Sequence, residues 1–533
     1  MVKSNALRNR AVLQESPRRI TATRTDRRII LHPSRPSQGS TTPDLILYLA
    51  IALVLTVIAA CLIVYIHLID IYYLSSPEVR ENSYVPLTRT RYPPPFPEIT
   101  RTRVDLSPQA LEMCTRTLWH TVETTTIVLP NQETFIHTGD IDDLWLRDSA
   151  AQIHPLLVPF FNGTALIQQD PRLDRIVSGL ILRTAMYIRH DPYANAFRID
   201  DTYVFSAAQK AMGRHDLIST WNYELDSACY YMRMLYFYWK QAPSPELVLK
   251  RSAVEQAVDI MVDLWIAEQR HEEDAYPTGD LFDCGNCNRP YRYPGLPREG
   301  KGAPTNASSG LIWTGFRPSD DECEFNYLIP ANMFAVVALE YMAEMADDLW
   351  KNDVLAKKAR KLAAEVQRGI EEHAVIHHPN HGKIYAYEVD GLGGANLMDD
   401  ANVPSLLSIP YLGYLHYDPQ IYQNTRNFVL SPDNPTYNVG TFQGHKVEGV
   451  GSPHMQARIR KNVWPMSIAM QGLTSSNVAE KVRLIETLVV TTGGTGWMHE
   501  SIDPNRPQQF TRSWFCCART PPTNTKCSNG GTP

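Results

Sequence analysis

The spacing of apolar residues along the chain predicts a largely helical protein. In several long stretches apolar positions recur about every 3.6 residues, the period of a helix with one buried face. These stretches predict helices over residues 172–190, 226–240, 246–269, 332–350 and 353–373. Alternating strand patterns are few, and the clearest is KIYAYEV at residues 383–389, ahead of a Gly-rich turn. Helix pairs joined by loops therefore indicate an all-α domain.

One apolar segment near the N-terminus differs from these helices because it has no polar face. Residues 45–66 carry no charge and are long enough to span a bilayer as a helix. A buried core helix would show a polar side, and a cleaved signal peptide would be shorter and would start earlier. Basic residues precede the segment and acidic residues follow it, which predicts a cytosolic N-terminus. We therefore expect a single-pass type II membrane protein whose main domain lies in the secretory-pathway lumen, with the Golgi favoured, or outside the cell.

This topology divides the chain into five predicted parts. They are a basic, disordered cytosolic tail (1–44), a transmembrane helix (45–68), a Pro-rich stem (69–104), a helical domain (105–515) and a C-terminal tail (516–533). In the lumen, Asn162 and Asn306 would be usable glycosylation sequons, whereas a proline blocks the one at Asn434. An oxidising lumen also favours a local disulfide between Cys284 and Cys287 over a metal knuckle, since no second ligand pair lies near them.

Composition narrows the class of protein without identifying it. Charged residues make up 20% and apolar residues 44% of the 533 positions, which is typical of a globular domain. A net charge of -6 gives no reason to expect nucleic acid as a partner. Nine cysteines are too few for a disulfide scaffold of this length. The chain is therefore expected to be stabilised mainly by an apolar core.

The sharpest contrast of charge and apolar surroundings lies at residues 310–330, GLIWTGFRPSDDECEFNYLIP. Asp320 and Asp321 stand there between aromatic and apolar residues, directly before a segment apolar enough to be a buried helix. Carboxyl groups in such surroundings are costly to desolvate, and one of them can be kept protonated and act as an acid. Alternatively, Ser319 or Asp320 caps the helix that follows. The residues alone leave both interpretations open.

Five further clusters combine acids with aromatic, arginine or histidine side chains. They are TGDIDDLWLRDSAAQ (138–152), YELDSACY (223–230), LMDDANVPSLLSIPY (397–411), EGVGSPH (448–454) and GGTGWMHESIDPNRPQQFTRSW (493–514). Trp145 stands between acids, which argues against a fully solvated face, and Arg147 with Asp148 can form a fixed polar pair that binds hydroxyl groups.

Together these clusters predict a site for a neutral, polyhydroxylated substrate. Carboxylates and arginine hydrogen-bond to hydroxyl groups, and aromatic rings stack on sugar faces. Cleavage of a glycosidic bond also needs two carboxyl groups in opposite protonation states. The sequence contains no P-loop, no GxGxxG after a strand, no GxSxG and no HExxH, and no acidic stretch has the EF-hand spacing.

The same clusters resemble one known family. TGDIDDLWLRDSAAQ, DPYANAF, YELDSACY, FRPSDDE, NVPSLLSIPYLGY, GVGSPH, VWPMSIAMQGLTS and GGTGWMHESIDP occur in the order found in glycoside hydrolase family 125, the exo-acting α-1,6-mannosidases. The resemblance extends from about residue 105 to about residue 515. It implies an α/α toroid of six helical hairpins. In this chain the transmembrane helix predicted above would precede that toroid. It also implies inverting hydrolysis of a terminal α-1,6-linked mannose without a metal or other cofactor.

The resemblance also implies a role for individual residues. Asp320 in FRPSDDE matches the general acid, and Glu500 in HES matches the general base that activates water. The subsite for the terminal mannose would be lined by Trp145, Arg147, Asp148, Asp226, Arg317, Asp321, His454 and Arg512. The expected partners are a mannose-containing glycan and the membrane, with no nucleic acid and with the chain as a monomer.

The C-terminus departs from the family pattern. After RSWF the family usually continues with another apolar helix, whereas this chain reads CCARTPPTNTKCSNGGTP and has no apolar period. The expected consequence is a ring left open beside Glu500. Two alternatives to this hydrolase remain. One is a membrane protein that binds carbohydrate without turnover, and the other is a calcium-dependent α-mannosidase of another toroidal family.

Overall fold

The computed structural model describes residues 106–159, 164–273 and 290–513. All of them belong to one compact unit of the chain. The predicted cytosolic tail, transmembrane helix, Pro-rich stem and C-terminal tail lie outside the described residues, as do Asn162, Cys284 and Cys287. Among the helices of the described ranges, none combines the length and the apolar character needed to cross a membrane.

Helices are the main regular secondary structure of the described domain. Apart from a distorted turn at Pro297–Gly300, they are α1 (Pro108–His120), α2 (Leu146–Leu157), α3 (Pro171–His190), α4 (Ala207–Ala211), α5 (Leu225–Gln241), α6 (Glu246–Leu249), α7 (Ser252–Glu268), α8 (Ile329–Met345), α9 (Asp353–His373), α10 (Ile409–Leu412), α11 (Pro419–Val429), α12 (Pro465–Leu473) and α13 (Val478–Val490). Local sequence explains several of their starts. The side chains of Ser107, Asp170 and Asn352 each accept a hydrogen bond from a backbone N–H in the first turn of the following helix.

Short strands pair in small antiparallel sheets between the helices. They are β1 (Thr126–Val128), β2 (Thr134–Ile136), β3 (Leu144–Trp145), β4 (Ala196–Phe197), β5 (Ile218–Thr220), β6 (Tyr327–Leu328), β7 (Val375–His378), β8 (Gly382–Tyr385), β9 (Glu388–Val389), β10 (Ala395–Asn396), β11 (Tyr437–Phe442), β12 (His445–Val450), β13 (Ser501–Asp503) and β14 (Arg506–Thr511). Two sheets have three strands, in the orders β3-β4-β5 and β10-β9-β6. The domain is therefore helix-rich rather than purely helical, because its connections fold into hairpins.

The helices pack in two sets. Helices α2, α5, α8 and α10 contact one another in that order, and α3, α7 and α9 form a second series. Helices α2, α5 and α8 of the first series are called the inner helices below. Each of them follows a loop that carries one of the acidic clusters. The N-termini of α2 and α5, where backbone N–H groups are unpaired and the helix dipole is positive, therefore lie next to carboxylates.

The first and last described helices meet. The hydroxyl of Ser107, at the start of α1, donates to Glu486 of α13 at 3.2 Å. A small apolar cluster formed by Met113, Val447, Val463, Ile468, Leu484, Leu488 and Ile502 joins α1 and α13 to β12, α12 and β13. Within the described ranges, α13 is followed by the β13–β14 hairpin and not by another helix. Glu500 directly precedes β13, so this cluster fixes the backbone beside it.

Most of the predicted helices are present, with two differences in continuity. The helix expected over 246–269 is interrupted, because Arg251 has extended backbone angles and separates α6 from α7. The helix expected over 332–350 is regular to Met345 and continues as a π-helical turn from Ala346 to Trp350. The strand expected over 383–389 is two strands, since β8 pairs with β7 whereas β9 pairs with β6 and β10. The chain changes sheets at residues 386–387.

Candidate active site

One pocket collects residues from several loops at the N-terminal ends of the inner helices. It encloses about 480 Å³ of space, counting its open mouth. It is lined by Thr138, Ile141, Trp145, Arg147, Asp148, Pro318, Ser319, Asp320, Asn402, His454, Trp464, Glu500 and Arg512. Seven of the ten residues predicted for the site line it; Asp226, Arg317 and Asp321 do not.

Asp320 lies in a tight turn that presents its side chain to the pocket. The N–H of Arg317 donates to the carbonyl of Asp321 at 2.8 Å, and the N–H of Asp320 donates to the carbonyl of Arg317 at 3.0 Å. These bonds hold Asp320 at a φ of 65°, a left-handed conformation that is uncommon for a residue with a side chain. The capping interpretation is wrong, because α8 begins at Ile329 and its N-cap residue is Leu328.

The carboxyl group of Asp320 is anchored through one oxygen. Its Oδ1 accepts from the amide of Asn195 at 3.1 Å and from the amide of Asn222 at 3.4 Å. Among the described residues, none makes a hydrogen bond to Oδ2. Asp320 is half-buried and lines the pocket. One oxygen is therefore fixed by the protein, and the other is available to a ligand.

Glu500 has a similar division between its two oxygens. Its Oε1 accepts from Nε of Arg512 at 3.0 Å, and Nη1 of Arg512 also donates to Asp140 at 2.8 Å. Its Oε2 is buried and accepts no hydrogen bond from any described residue. A buried carboxylate oxygen without a donor is unfavourable, so one that lines a pocket is a strong acceptor for a water or a hydroxyl group.

Arg147 is surrounded by three carboxyl groups. Its Nη1 donates to Asp148 at 2.7 Å, and its Nη2 donates to both oxygens of Glu224 at 3.2 and 3.3 Å. Its Nε lies 3.2 Å from Oδ2 of Asp226, close enough for an ion pair but not aligned as a hydrogen bond. Burial raises the pKa of both Glu224 and Asp226, and the charge of Arg147 opposes that increase.

Asp226 therefore does not contact the pocket as predicted. It is fully buried, behind Arg147, and it neutralises and positions that guanidinium rather than meeting a ligand itself. Glu224 has the same position and was not among the predicted site residues. The reason is that Arg147 lies between these two acids and the pocket. Arg147 and Asp148 line the open space, and Glu224 and Asp226 do not.

Arg317 is also displaced from the predicted subsite. Its Nε and Nη2 form a bidentate pair with Glu388 of β9 at 2.6 and 3.0 Å. Glu388 is fully buried, and it also accepts from the backbone N–H groups of Glu324 and Phe325. The pair ties the turn that carries Asp320 to the β10-β9-β6 sheet, so Arg317 supports the site from behind.

We expect Arg317→Met to destabilise the protein by about 3–5 kcal/mol, because it leaves the buried carboxylate of Glu388 without its cation. Chemical denaturation of the variant and the unaltered chain would measure the difference. The double variant Arg317→Met with Glu388→Leu removes both charges and should recover most of the loss. A change of less than about 1 kcal/mol for Arg317→Met would show that the pair contributes no more than a surface ion pair.

Asp321 is connected to the pocket through two lining residues, because its Oδ2 accepts from the hydroxyl of Ser319 at 3.1 Å and its Oδ1 pairs with His454. Its Oδ1 lies 3.0 Å from Nδ1 of His454, which lines the pocket. The hydrogen bond to Asp321 raises the pKa of His454 above its usual value of 6.5, burial opposes the increase, and the charges of Asp321, Asp320 and Glu500 add to it. Asp321 thus favours the imidazolium form of a residue at the pocket wall.

We expect Asp321→Asn to lower the pKa of His454, because it removes the charged hydrogen-bond partner. An NMR titration of the His454 ring, assigned with a His454→Gln variant, would measure this. An unaltered His454 pKa would contradict the conclusion that Asp321 raises it.

The same pair has a predictable effect on stability. A histidine whose pKa is raised by folding contributes its stabilisation fully below the unfolded pKa of 6.5 and loses it as the pH rises through the folded pKa. The free energy of unfolding should therefore differ more between the unaltered chain and Asp321→Asn at about pH 6 than at an alkaline pH above the folded pKa of His454.

Several neutral residues of the site were not predicted. Asn402 and Trp464 line the pocket, and Asn195 and Asn222 contact Asp320 behind it. Asp400 positions Asn402 by accepting from its amide at 2.7 Å. Of the four neutral residues, Asn195, Asn402 and Trp464 lie in stretches noted above, DPYANAF, NVPSLLSIPYLGY and VWPMSIAMQGLTS. Their location in motifs was the available signal, but an uncharged side chain gave no chemical reason to select them.

Within residues 106–159, 164–273 and 290–513, two groups of side chains have the composition of a metal site, and neither contributes to the pocket. They are His190, His215 and Asp216, and His378, His381 and Asp433. Neither group contains a residue that lines the pocket. The proton-transfer chemistry available in the pocket comes from its carboxyl groups and its histidine.

Comparison with known proteins places this geometry in a family. The family model for the metal-independent α-mannosidases of family GH125 matches residues 107–521. The Meiotically up-regulated gene 157 protein of Schizosaccharomyces pombe is 35% identical over 434 residues, which cover 79% of this chain and 80% of that protein. A solved structure of a metal-independent α-mannosidase from Streptococcus pneumoniae, in a non-productive complex with α-1,6-mannobiose, is 35% identical with a TM-score of 0.66. The match covers 77% of this chain and 91% of that one.

The family match extends over most of the chain and includes every residue that lines the pocket. The pocket joins two carboxyl groups, each with one anchored oxygen, to hydroxyl-binding residues and indole rings. On these grounds the chain belongs to GH125, the family of metal-independent α-mannosidases.

Proposed function

We propose that this pocket hydrolyses a terminal, non-reducing α-1,6-linked mannose with inversion, Asp320 acting as general acid and Glu500 as general base. The observation that carries the proposal is that both carboxyl groups line one pocket, each with one oxygen held by the protein and the other unengaged. The linkage is taken from the Streptococcus pneumoniae relative, whose structure contains α-1,6-mannobiose.

The proposed reaction moves two protons. Oδ2 of Asp320 donates a proton to the glycosidic oxygen as the bond from that oxygen to the anomeric carbon breaks. Oε2 of Glu500 takes a proton from a water that attacks the anomeric carbon from the opposite face, giving β-mannose. An inverting mechanism needs the two carboxyl groups about 6.5–9.5 Å apart, so that the water fits between one of them and the sugar.

The remaining walls of the pocket fit a mannose ring. Arg147 and Arg512 donate hydrogen bonds, Asp148 accepts them, and His454 in its charged form donates. Trp145 and Trp464 supply indole surfaces, which suit the C–H face of a pyranose. The ion pairs behind the two arginines hold them in place before the sugar arrives, which reduces the entropy lost on binding.

The direct test is the anomer released by the full-length chain in detergent. We would incubate it with mannobioses of each α linkage and follow the product by NMR before mutarotation. The expected result is β-mannose from the α-1,6-linked disaccharide, unaffected by a chelator. Initial release of α-mannose would show retention and contradict the proposed mechanism. Binding of mannobiose without release would favour a carbohydrate-binding protein, and inhibition by a chelator would favour a calcium-dependent enzyme.

We further infer the arrangement of this domain and its location. The two series of helices that pack side by side fit an α/α toroid of helical hairpins. The uncharged run at residues 45–66 and the basic residues before it support a type II anchor, with the domain in the secretory-pathway lumen or outside the cell. Protease added to sealed microsomes should remove an N-terminal epitope tag and spare a C-terminal one. Loss of the C-terminal tag alone would contradict this topology.

A further inference from the structure

The orientation of one buried asparagine is fixed by its contacts. Asn195 is fully buried just before β4, and its Oδ1 accepts from the hydroxyl of Thr220 at 2.6 Å and from the backbone N–H of Asn222 at 3.2 Å. An amide oxygen accepts hydrogen bonds and an amide nitrogen donates them. These two donors therefore determine which end of the amide faces which way, and Nδ2 must point at Oδ1 of Asp320, 3.1 Å away.

A second asparagine donates to the same oxygen. The Nδ2 of Asn222 lies 3.4 Å from Oδ1 of Asp320, from the side of the loop between β5 and α5. An oxygen that accepts from two amide N–H groups has no room for its own proton along those directions. In the protonated acid the proton is therefore confined to Oδ2.

The two asparagines lie next to strands of the small sheet whose third strand leads into α2. Asn195 precedes β4 and Thr220 ends β5, and both strands belong to the β3-β4-β5 sheet. The carbonyl of Asn195 accepts from the N–H of Leu146, the first residue of α2, at 3.0 Å. The next residues are Arg147 and Asp148, which line the pocket. One small sheet thus sets both the acid and part of the sugar-binding wall.

We propose that Asn195 and Asn222 are positioning residues for the general acid: they hold Oδ1 of Asp320 and direct the proton on Oδ2 toward the glycosidic oxygen. This inference rests on the proposed function and extends it. The two amides act again once the proton has left, since N–H groups bind a carboxylate more strongly than a neutral carboxyl group. They therefore stabilise Asp320 more in its product state than in its starting state, which lowers the barrier to proton transfer.

The test compares a substrate that needs an acid with one that does not. In α-1,6-mannobiose the leaving group is the second mannose, a sugar alkoxide that needs a proton. Dinitrophenyl α-mannoside releases a stable phenolate without one. Asn222→Ala is the first variant, because Asn222 is half-buried and its amide oxygen accepts nothing from the described residues. Asn195→Asp is the second: it keeps the acceptor for Thr220 and for the N–H of Asn222, and it replaces the N–H donor with a carboxylate oxygen that repels Oδ1 of Asp320.

For both variants we expect kcat on mannobiose to fall about 10- to 100-fold and kcat on the dinitrophenyl substrate to change less than about twofold, with KM for each nearly unchanged. Asn380→Ala is the matched control, because Asn380 donates to Asp433 at 3.0 Å in a comparable asparagine–carboxylate contact on the exposed β7–β8 hairpin. Its rates on both substrates should equal those of the unaltered chain.

Two results would overturn the inference. One is an equal loss on the two substrates in variants that melt at the control's temperature, which is what a merely structural role predicts. The other is undiminished turnover of mannobiose by both variants. Failure of the unaltered chain to release mannose from mannobiose is a separate result, because it would overturn the proposed function and with it the role of the asparagines.

Discussion

Asp320→Asn is expected to reduce mannose release from α-1,6-mannobiose by about 10³-fold, since general acid catalysis contributes roughly 10²–10⁴-fold to such reactions. The amide has the size of the carboxyl group and can keep a hydrogen bond to Asn195 after rotating, so the fold should be intact. Turnover of dinitrophenyl α-mannoside should fall far less, because its leaving group departs without a proton. Steady-state kinetics on both substrates, with thermal unfolding as the fold check, measures the effect.

Glu322→Gln provides the matched control for Asp320→Asn. Glu322 belongs to the same acidic run, but it is exposed and does not line the pocket. Its turnover should equal that of the unaltered chain. Near-normal release of mannose from mannobiose by Asp320→Asn would remove Asp320 from the mechanism, and an equal loss in Glu322→Gln would show that the charge of the turn, rather than one proton donor, is required.

Glu500→Gln is expected to reduce turnover of both substrates by about 10³-fold, because the attacking water loses the group that takes its proton whichever leaving group is present. The amide oxygen of the variant can still accept from Nε of Arg512. The loss is therefore specific to the position of Oε2, which accepts no hydrogen bond from the described residues. The expected contrast is therefore a loss on both substrates for Glu500 and a loss on mannobiose alone for Asp320. Kinetics of the two variants side by side measures it.

A smaller side chain at position 500 permits a chemical test of the proposed role of Glu500 as general base. With Glu500→Ala, azide needs no base and can enter from the water's side of the sugar, so added azide should restore turnover of dinitrophenyl α-mannoside and give β-mannosyl azide. An α-mannosyl azide product would place the nucleophile on the other face. Normal hydrolysis by Glu500→Gln would exclude Glu500 as the base.

Much of the secondary structure follows from local sequence. The helix expected over 353–373 matches α9 at both ends, because an apolar stripe recurs along it and Asn352 caps its first turn. Helix α3 begins one residue before its predicted start, with Asp170 as cap and Pro171 in the first turn. Continuity was harder to predict. The break at Arg251 and the change of sheet after Tyr385 depend on what each segment packs against, and the sequence pattern runs through both without interruption.

The sequence by itself determined which stretches carry chemistry and which family the chain resembles, because aromatic residues beside acids in loops are visible without coordinates. Only the tertiary structure decided which of those charges face the pocket. Arg147 pairs with Glu224, 77 residues away, and Arg317 pairs with Glu388, 71 residues away. A carboxylate buried against an arginine holds that arginine in place, whereas one at the pocket wall can meet a ligand, and the two are indistinguishable in sequence.

The same reason explains why the neutral residues were missed. Asn195 meets Asp320 across 125 positions of chain, and its importance lies in the direction of one N–H group. Local sequence sets backbone preference and apolar periodicity over a few turns of helix. The direction of a buried hydrogen bond depends on every group packed around it, and for Asn195 those groups come from the end of one strand, the loop after it and a turn before α8.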